Sequence, residues 1–196
     1  MTSVSLVVVA AVAVAFVLGG RLDRLGQSGV RLTGLAAVGF VVQYLPLGGL
    51  GWTVARLLLW VSFLVLVVFS AVNLRRPGFA LFLLGTLLNL TVIALNDGMP
   101  ISADALVASG DRGQIEELQQ GLGGAKWHLA GPGDRLMELA DIVVLPPPIG
   151  EVVSVGDLLV DAGLAWFVFA GMGPRRRRTG EPVGASATAS PPEPEP

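Results

Sequence analysis

The sequence predicts an all-α polytopic membrane protein with five transmembrane helices and a small extracytoplasmic helical loop domain. Its 196 residues are 53% apolar and only 14% charged, and the mean hydropathy is +0.70. An average soluble domain is about one quarter charged, so this composition argues against a soluble protein. The apolar residues also lie in long blocks, which disordered and collagen-like chains lack.

Five helices are predicted at about 4–20, 32–47, 54–74, 78–95 and 155–173. A bilayer core of about 30 Å needs about 20 apolar helical residues, because lipid offers no hydrogen-bond partner to the backbone. Four uncharged runs approach this length, and the fifth run contains two carboxylates. The second helix ends at Pro46 and a glycine cluster, which would turn the chain into a helical hairpin.

The basic residues predict the orientation, because positively charged loops are retained in the cytoplasm. In a five-helix arrangement, nine arginines fall on one side of the membrane and four basic residues fall on the other. The N-terminus is therefore expected outside and the C-terminus in the cytoplasm of a bacterial cell. The two groups are Arg21, Arg24, Arg31, Arg75, Arg76 and Arg175 to Arg178, against Arg56, Arg112, Lys126 and Arg135.

Two parts of the chain are expected to lie outside the bilayer. Residues 96–151 form the one long polar connection, which is acidic and expected on the outer side, with short helices at 102–109 and 111–120. An amphipathic helix at 134–144 would lie on the membrane surface or pack on its neighbours. The tail, 174–196, is rich in Gly, Ala, Ser, Pro and Glu and is predicted to be disordered and cytoplasmic.

The residues that most strongly suggest a chemical role are Asp157 and Asp161 in the fifth predicted helix. They are four residues apart, so they share a helix face, and Asp161 lies about 6 Å deeper. A carboxylate in the apolar layer costs about 2.5–3.5 kcal/mol and usually finds a partner. Arg56 is the expected partner, through an intramembrane ion pair. The pair would either fix helix packing or mark a proton path or catalytic site.

The uncharged polar residues of the predicted helices indicate a structural role. Gln43, Asn73, Asn89 and Thr91 are expected to join helices by hydrogen bonds. The chain has no cysteine, which excludes thiolate chemistry and cysteine-ligated metals. Its single histidine is His128. No metal site, no cofactor and no nucleic-acid partner are predicted.

Several short motifs follow one another along the second half of the chain. They are Asn96, Asp97, Gly98, Met99 and Pro100, then His128, then Arg135 and Leu136, then Leu139 to Ile142, and finally the block from Ser154 to Gly163, which includes Gly156, Asp157 and Asp161. In combination they resemble the bacterial membrane-protein family known as domain of unknown function 5317, over about residues 1–173. The resemblance implies a multi-pass membrane protein without an assigned activity.

The last helix is also similar to lipoprotein signal peptidase, an aspartyl protease of the membrane. Ser154, Gly156, Asp157 and Gly163 match its final motif, and Asp141 matches its first catalytic aspartate. The resemblance implies that Asp141 and Asp157 form a dyad, in which one carboxylate activates water and the other protonates the leaving group. The chain departs from that family because no spanning helix precedes Asp141, a serine replaces the asparagine, and the helix count differs.

These observations favour a structural or interaction component of the membrane over an enzyme. The alternatives are an aspartyl-type membrane peptidase and a small oligomeric transporter or ion-coupled subunit. The expected partners are the lipid bilayer and a second copy of the chain or another membrane protein.

Overall fold

The computed structural model describes residues 2–17, 20, 21, 23, 29–44, 51–123 and 125–172. A helix lies in each of the five predicted stretches. The predicted turn at Pro46 and the predicted disordered tail at 174–196 lie outside the described residues. The five helices are α1 (Thr2–Val17), α2 (Thr33–Tyr44), α3 (Trp52–Val72), α4 (Phe79–Asn96) and α7 (Val155–Met172).

Among the described residues, α3, α4 and α7 are long and apolar enough to cross a membrane. The helices α1 and α2 are apolar but shorter, with 16 and 12 residues. Side by side, the helices follow the order α2, α3, α4, α7 and α1.

Helices α4 and α7 approach closely because glycines face each other along their contact. A Cβ atom on Gly163 would lie 2.6 Å from the Gly78 carbonyl oxygen and 2.8 Å from the Phe82 nitrogen. Nearer the connecting segment, Gly85 and Gly156 form a similar contact, where a Cβ atom on either residue would overlap the opposite helix. These glycines allow the backbones of α4 and α7 to touch.

A cluster of aromatic side chains lies where α3 ends and α4 begins. Phe69 and Phe79 pack edge to face with their ring centroids 5.3 Å apart, and Phe79 makes a similar contact with Phe167 of α7. Phe82 packs on Phe69 at 6.2 Å. These contacts join α3, α4 and α7 into one apolar core.

The segment between α4 and α7, residues 97–154, is called here the connecting segment. Its regular elements are β1 (Met99–Ile101), α5 (Ala103–Ser109), α6 (Arg112–Gln119), β2 (Trp127–Leu129), a 3-10 turn (Met137–Leu139), β3 (Val143–Leu145) and β4 (Glu151–Val153). Strands β1 and β2 pair in parallel, and β3 and β4 pair antiparallel.

The connecting segment confirms two predictions and corrects two. The short helices expected at 102–109 and 111–120 are α5 and α6. The helix expected at 134–144 is wrong, because that stretch holds the 3-10 turn and most of β3. The expected all-α class is therefore too simple, since mainly helical architecture is combined with two small sheets. Strand formation there follows from backbone pairing with β1 and β4, which a helical pattern of apolar residues cannot reveal.

Candidate functional site

The connecting segment covers a small cavity between the helices, with a volume of about 120 Å³. Side chains from α2, α3, α4, α7 and the connecting segment form its walls. Its apolar wall includes Phe63, Ile93, Met99 and Trp127. Its polar side chains are Gln43, Thr86, Asn89, Lys126, Asp141 and Asp157. We call this space the polar cavity.

Asp141 is held in the cavity wall by its own backbone. Its N–H donates to the Pro100 carbonyl oxygen at 3.1 Å, and its carbonyl oxygen accepts from the Ser102 N–H at 3.0 Å. The side chain is only 5% exposed, and its Oδ1 has no hydrogen-bond partner among the described residues. A buried acceptor without a partner costs about 1–3 kcal/mol, so its position requires an explanation.

The environment of Asp141 favours the protonated carboxyl. Burial raises its pKa well above the ordinary value of 3.8, and the nearby Asp157 raises the pKa further. Lys126 and a hydrogen bond from the Trp127 side chain act in the opposite direction. Asp141 is therefore a buried acid whose charge depends on what occupies the cavity.

Asp157 has both carboxylate oxygens engaged at the start of α7. Its Oδ2 accepts from the Ser154 N–H at 3.1 Å, and its own N–H donates to Ser154 Oγ at 2.9 Å. This reciprocal arrangement is a capping box, which satisfies backbone groups at the first turn of the helix. Its Oδ1 accepts from Asn89 Nδ2 at 2.7 Å. Ser154 Oγ also donates to Asn89 Oδ1 at 2.9 Å, so the three side chains fix α7 against α4.

Lys126 reaches into the cavity from the residue before β2. Its Nζ donates to the Gln43 carbonyl oxygen at 3.2 Å and lies 4.2 Å from the centroid of the Trp127 ring. Burial lowers the pKa of Lys126 from 10.5 to about 8, although Asp157 and Asp141 act to raise it. The Gln43 amide nitrogen, Nε2, is buried and has no hydrogen-bond partner within the described part of the chain.

Two of the predicted roles of charged residues need correction. Arg56 forms its ion pair with Asp97, at the end of α4, and not with Asp157 or Asp161. The Arg56 side chain is 41% exposed and that of Asp97 is 66% exposed, so this pair lies at the surface and is not buried between helices. Asp161 is 5% exposed and lies outside the polar cavity, and its Oδ1 has no partner among the described residues. Asp97 adopts a left-handed backbone conformation at the end of α4, and this turn brings it to Arg56. The spacing of charges along the sequence does not reveal such a turn.

The remaining motif residues organise the connecting segment. Asn96 exchanges two hydrogen bonds with the backbone of Arg135, at 2.7 Å and 2.9 Å. His128 Nε2 lies 3.0 Å from Asp134 Oδ1. Gly98 lies against the His128 ring, where a Cβ atom would be 3.2 Å from Nδ1.

Met99 and Pro100 belong to β1, and of these two only Met99 lines the cavity. The prediction that Asn89 joins helices is confirmed by its bonds to α7. Asn73 lies just beyond the end of α3, and its Nδ2 donates to the carbonyl oxygen of Arg31, which precedes α2, at 2.9 Å, so it links the segments next to these helices and not the helices themselves.

The structure brings Asp141 and Asp157 to one cavity, as the predicted dyad requires, but gives Asp157 a capping role. Sequence reasoning did not assign Lys126 and Gln43 to a site. The available signal was that Lys126 is the single lysine in a chain with twelve arginines. Among the described residues, no group of His, Asp and Glu side chains could hold a metal ion.

Comparison with protein families identifies the group to which this architecture belongs. The model of the family of unknown function DUF5317 matches residues 30–169. The chain is a member of the DUF5317 family. The match begins before α2 and includes every residue that lines the polar cavity, whereas α1 lies outside it. Neither the curated proteins nor the solved structures contain a match, and the similarity to lipoprotein signal peptidase gains no support from them.

Proposed function

We propose that this DUF5317 protein is an integral bacterial membrane protein that binds a small polar solute in the polar cavity, from the extracytoplasmic side. It would act as a binding or interaction component of the membrane. The five helices α1, α2, α3, α4 and α7 would cross the bilayer, with the N-terminus outside and the C-terminus in the cytoplasm.

The outer surface of the helices supports the membrane location. Large apolar side chains on α3, α4 and α7 are about half exposed or more, including Val61, Leu64, Leu84 and Trp166. A continuous apolar surface of this kind suits lipid chains. The bilayer would be the main partner, and a second copy or another membrane protein would bind on the same helix faces.

Contacts between helix ends support the proposed orientation. Near the end of α3, Arg76 Nη2 donates to the Gly29 carbonyl oxygen at 3.0 Å, and Arg31 N–H donates to Asn73 Oδ1 at 2.9 Å. Arg21 N–H donates to the Met172 carbonyl oxygen at the end of α7. Because basic residues gather at these ends, this side of the helices is assigned to the cytoplasm. The connecting segment and the polar cavity then face outside.

The observation that carries the proposal is the unpartnered carboxylate oxygen of Asp141 in a cavity that also holds Lys126. Native proteins pair almost all buried polar atoms with protein groups or water. A polar solute or water molecules in the cavity would complete the hydrogen bonding of Asp141.

Two features favour binding over the alternative functions. Asp157 uses one carboxylate oxygen to cap α7 and the other to accept from Asn89 of α4, which leaves Asp141 without a free second acid for a protease dyad. At the start of α4, Phe82 lines the cavity and packs on Phe69 and Phe79, and this aromatic cluster offers no polar side chain for a solute path through a single copy. Peptidase and transporter activity are therefore less well supported than binding.

Cysteine labelling tests the proposal directly, because the chain contains no cysteine of its own. Thr86→Cys places a thiol in the cavity wall, and Ser70→Cys places one at a fully buried position of α3 outside the cavity. A small water-soluble methanethiosulfonate reagent added outside intact cells should modify Thr86→Cys and leave Ser70→Cys unmodified. If both thiols stay unmodified in folded protein, solutes do not reach the cavity and the proposal fails.

A further inference from the structure

The polar cavity contains both donors and an acceptor that lack sufficient partners. Asp141 Oδ1 is a buried acceptor without a partner, and Gln43 Nε2 is a buried donor without a partner, within the described residues. Lys126 Nζ carries three hydrogens, and the described structure uses one of them, for the Gln43 carbonyl oxygen. A molecule that both donates and accepts hydrogen bonds would therefore satisfy these groups.

These groups do not satisfy one another. In the described part of the chain, Lys126 forms no ion pair with Asp141 or Asp157 within 4.0 Å. Both Lys126 and Asp141 line the cavity. A molecule in the cavity that bonds to both side chains would complete their hydrogen bonding.

The size of the cavity limits that molecule. Its volume is about 120 Å³. A protein cavity of about 150 Å³ accommodates benzene, which has about six non-hydrogen atoms. The cavity therefore suits a molecule of about five or six non-hydrogen atoms, with its carbon atoms against Phe63, Ile93 and Met99.

The charges of the wall decide between three kinds of small polar molecule. A simple cation beside Asp141 would favour its charged form but would be repelled by Lys126. A simple anion would suit Lys126 but would lie near the two acids, Asp141 and Asp157. A zwitterion places an anionic group beside Lys126 and an ammonium group beside Asp141, and this ammonium group favours the carboxylate over the protonated form that burial favours.

We propose that the polar cavity binds a small zwitterion, whose ammonium group donates to Asp141 and whose anionic group accepts from Lys126 and Gln43. One or two carbon atoms would separate the charged ends, as in a small neutral amino acid. This inference rests on the proposed function, because the molecule must reach the cavity from outside. The ethanolamine headgroup of a phospholipid shares the same chemistry, with a phosphate as its anionic end, but it is larger than the cavity, so only its ammonium end would enter.

The test measures thermal unfolding of the full chain in nanodiscs of phosphatidylglycerol with added glycine, L-alanine or β-alanine. At a concentration ten times Kd, binding should raise Tm by about 3–6 °C. Ethylamine and propionate, which each carry one charged end, should raise Tm far less. A second series replaces part of the phosphatidylglycerol with phosphatidylethanolamine and distinguishes a lipid headgroup from a free solute.

Three variants connect the shift to the cavity. Asp141→Asn and Lys126→Gln should each weaken binding at least tenfold, because each removes the partner of one charged end. Asp104→Asn makes the same chemical change on the exposed side of α5 and should leave binding unaltered. Using both cavity variants keeps the test informative if one of them folds poorly.

Each result has a defined meaning. A Tm shift that is specific for zwitterions and lost in the cavity variants supports the inference, with the lipid series naming the source. Equal shifts with ethylamine or propionate, or no shift with any zwitterion or with phosphatidylethanolamine, overturn it. If Thr86→Cys still reacts from outside in that case, only the zwitterion is rejected, whereas an unreactive Thr86→Cys rejects the proposed function itself.

Discussion

Replacing Gly163 by alanine tests the close contact between α4 and α7 that positions the cavity. The added methyl carbon would lie 2.6 Å from the Gly78 carbonyl oxygen and 2.8 Å from the Phe82 nitrogen. Ordinary van der Waals contact begins at 3.4 Å, so the helices must separate by about 0.8 Å. Both opposing atoms are backbone atoms, one of Gly78 just before α4 and one of Phe82 in α4, and cannot move aside as a flexible side chain would.

The cost follows from the overpacking and from the helical preference of alanine. Overpacking a close contact costs about 1–3 kcal/mol, and alanine returns up to about 1 kcal/mol inside a helix. The expected net loss is about 1–2 kcal/mol of unfolding free energy, or about 2–8 °C in Tm for a chain of this length. Separation of α4 from α7 would also strain the hydrogen bonds between Asn89 and Asp157.

Thermal unfolding of the purified protein in one detergent measures this effect. Gly34→Ala is the matched control, because Gly34 lies in α2 and a Cβ atom there has no neighbour within 4 Å. That variant should be neutral or stabilised by up to about 1 kcal/mol. Equal Tm values for Gly163→Ala and Gly34→Ala would refute the close backbone contact.

Three further predictions concern the cap, the buried acid and the topology. Ser154→Ala should lower the unfolding free energy by about 2–3 kcal/mol, and Ser102→Ala should lower it by about 1 kcal/mol. Both serines cap helices, but only Ser154 also donates to a buried amide oxygen. Equal losses in thermal unfolding of the two variants would contradict this reasoning. The raised pKa of Asp141 means that the folded state holds more protons than the unfolded state, so its contribution to stability is full below pH about 4 and is lost as pH rises through the folded pKa. Asp141→Asn should therefore reduce the fall of Tm with rising pH, and an unchanged pH dependence would argue against a buried acid there. A membrane-impermeant maleimide should label Gly121→Cys in intact cells and Ala187→Cys only after permeabilisation, and labelling of both in intact cells would contradict the orientation.

The helices can be predicted from the sequence because long runs of apolar residues mark them directly. Long apolar runs bounded by arginine or glycine indicated all five helices, and only their ends differ, as at Thr33–Tyr44 for the predicted 32–47. The connecting segment was less predictable because its strands are three residues long and depend on partners far along the chain. Met99 pairs with Trp127, and Val143 pairs with Val153. Such pairings leave little periodic pattern in a single sequence.

The candidate site was predictable only in part, for a similar reason. The place of Asp157 in an apolar helix indicates it as a site residue and the resemblance adds Asp141, and both line one cavity. The pairing of Arg56 with Asp157 or Asp161 is wrong, because depth along the helices does not reveal the turn that ends α4 and places Asp97 beside Arg56. Lys126 and Gln43 enter the cavity from parts of the chain 83 residues apart, a contact that only the folded structure reveals.

The most direct test of the account compares two acids that differ in access and not in burial. Asp141 and Asp161 are each 5% exposed, and each has an unpartnered Oδ1 among the described residues, but only Asp141 lines the polar cavity. Intact cells that carry Asp141→Cys or Asp161→Cys are treated with methyl methanethiosulfonate, whose about six non-hydrogen atoms suit the volume of the cavity, and mass spectrometry measures disulfide formation at each position. We expect modification of Asp141→Cys and none of Asp161→Cys. An unmodified Asp141→Cys in folded protein, or equal modification of both variants, would contradict a cavity open to the outer solution.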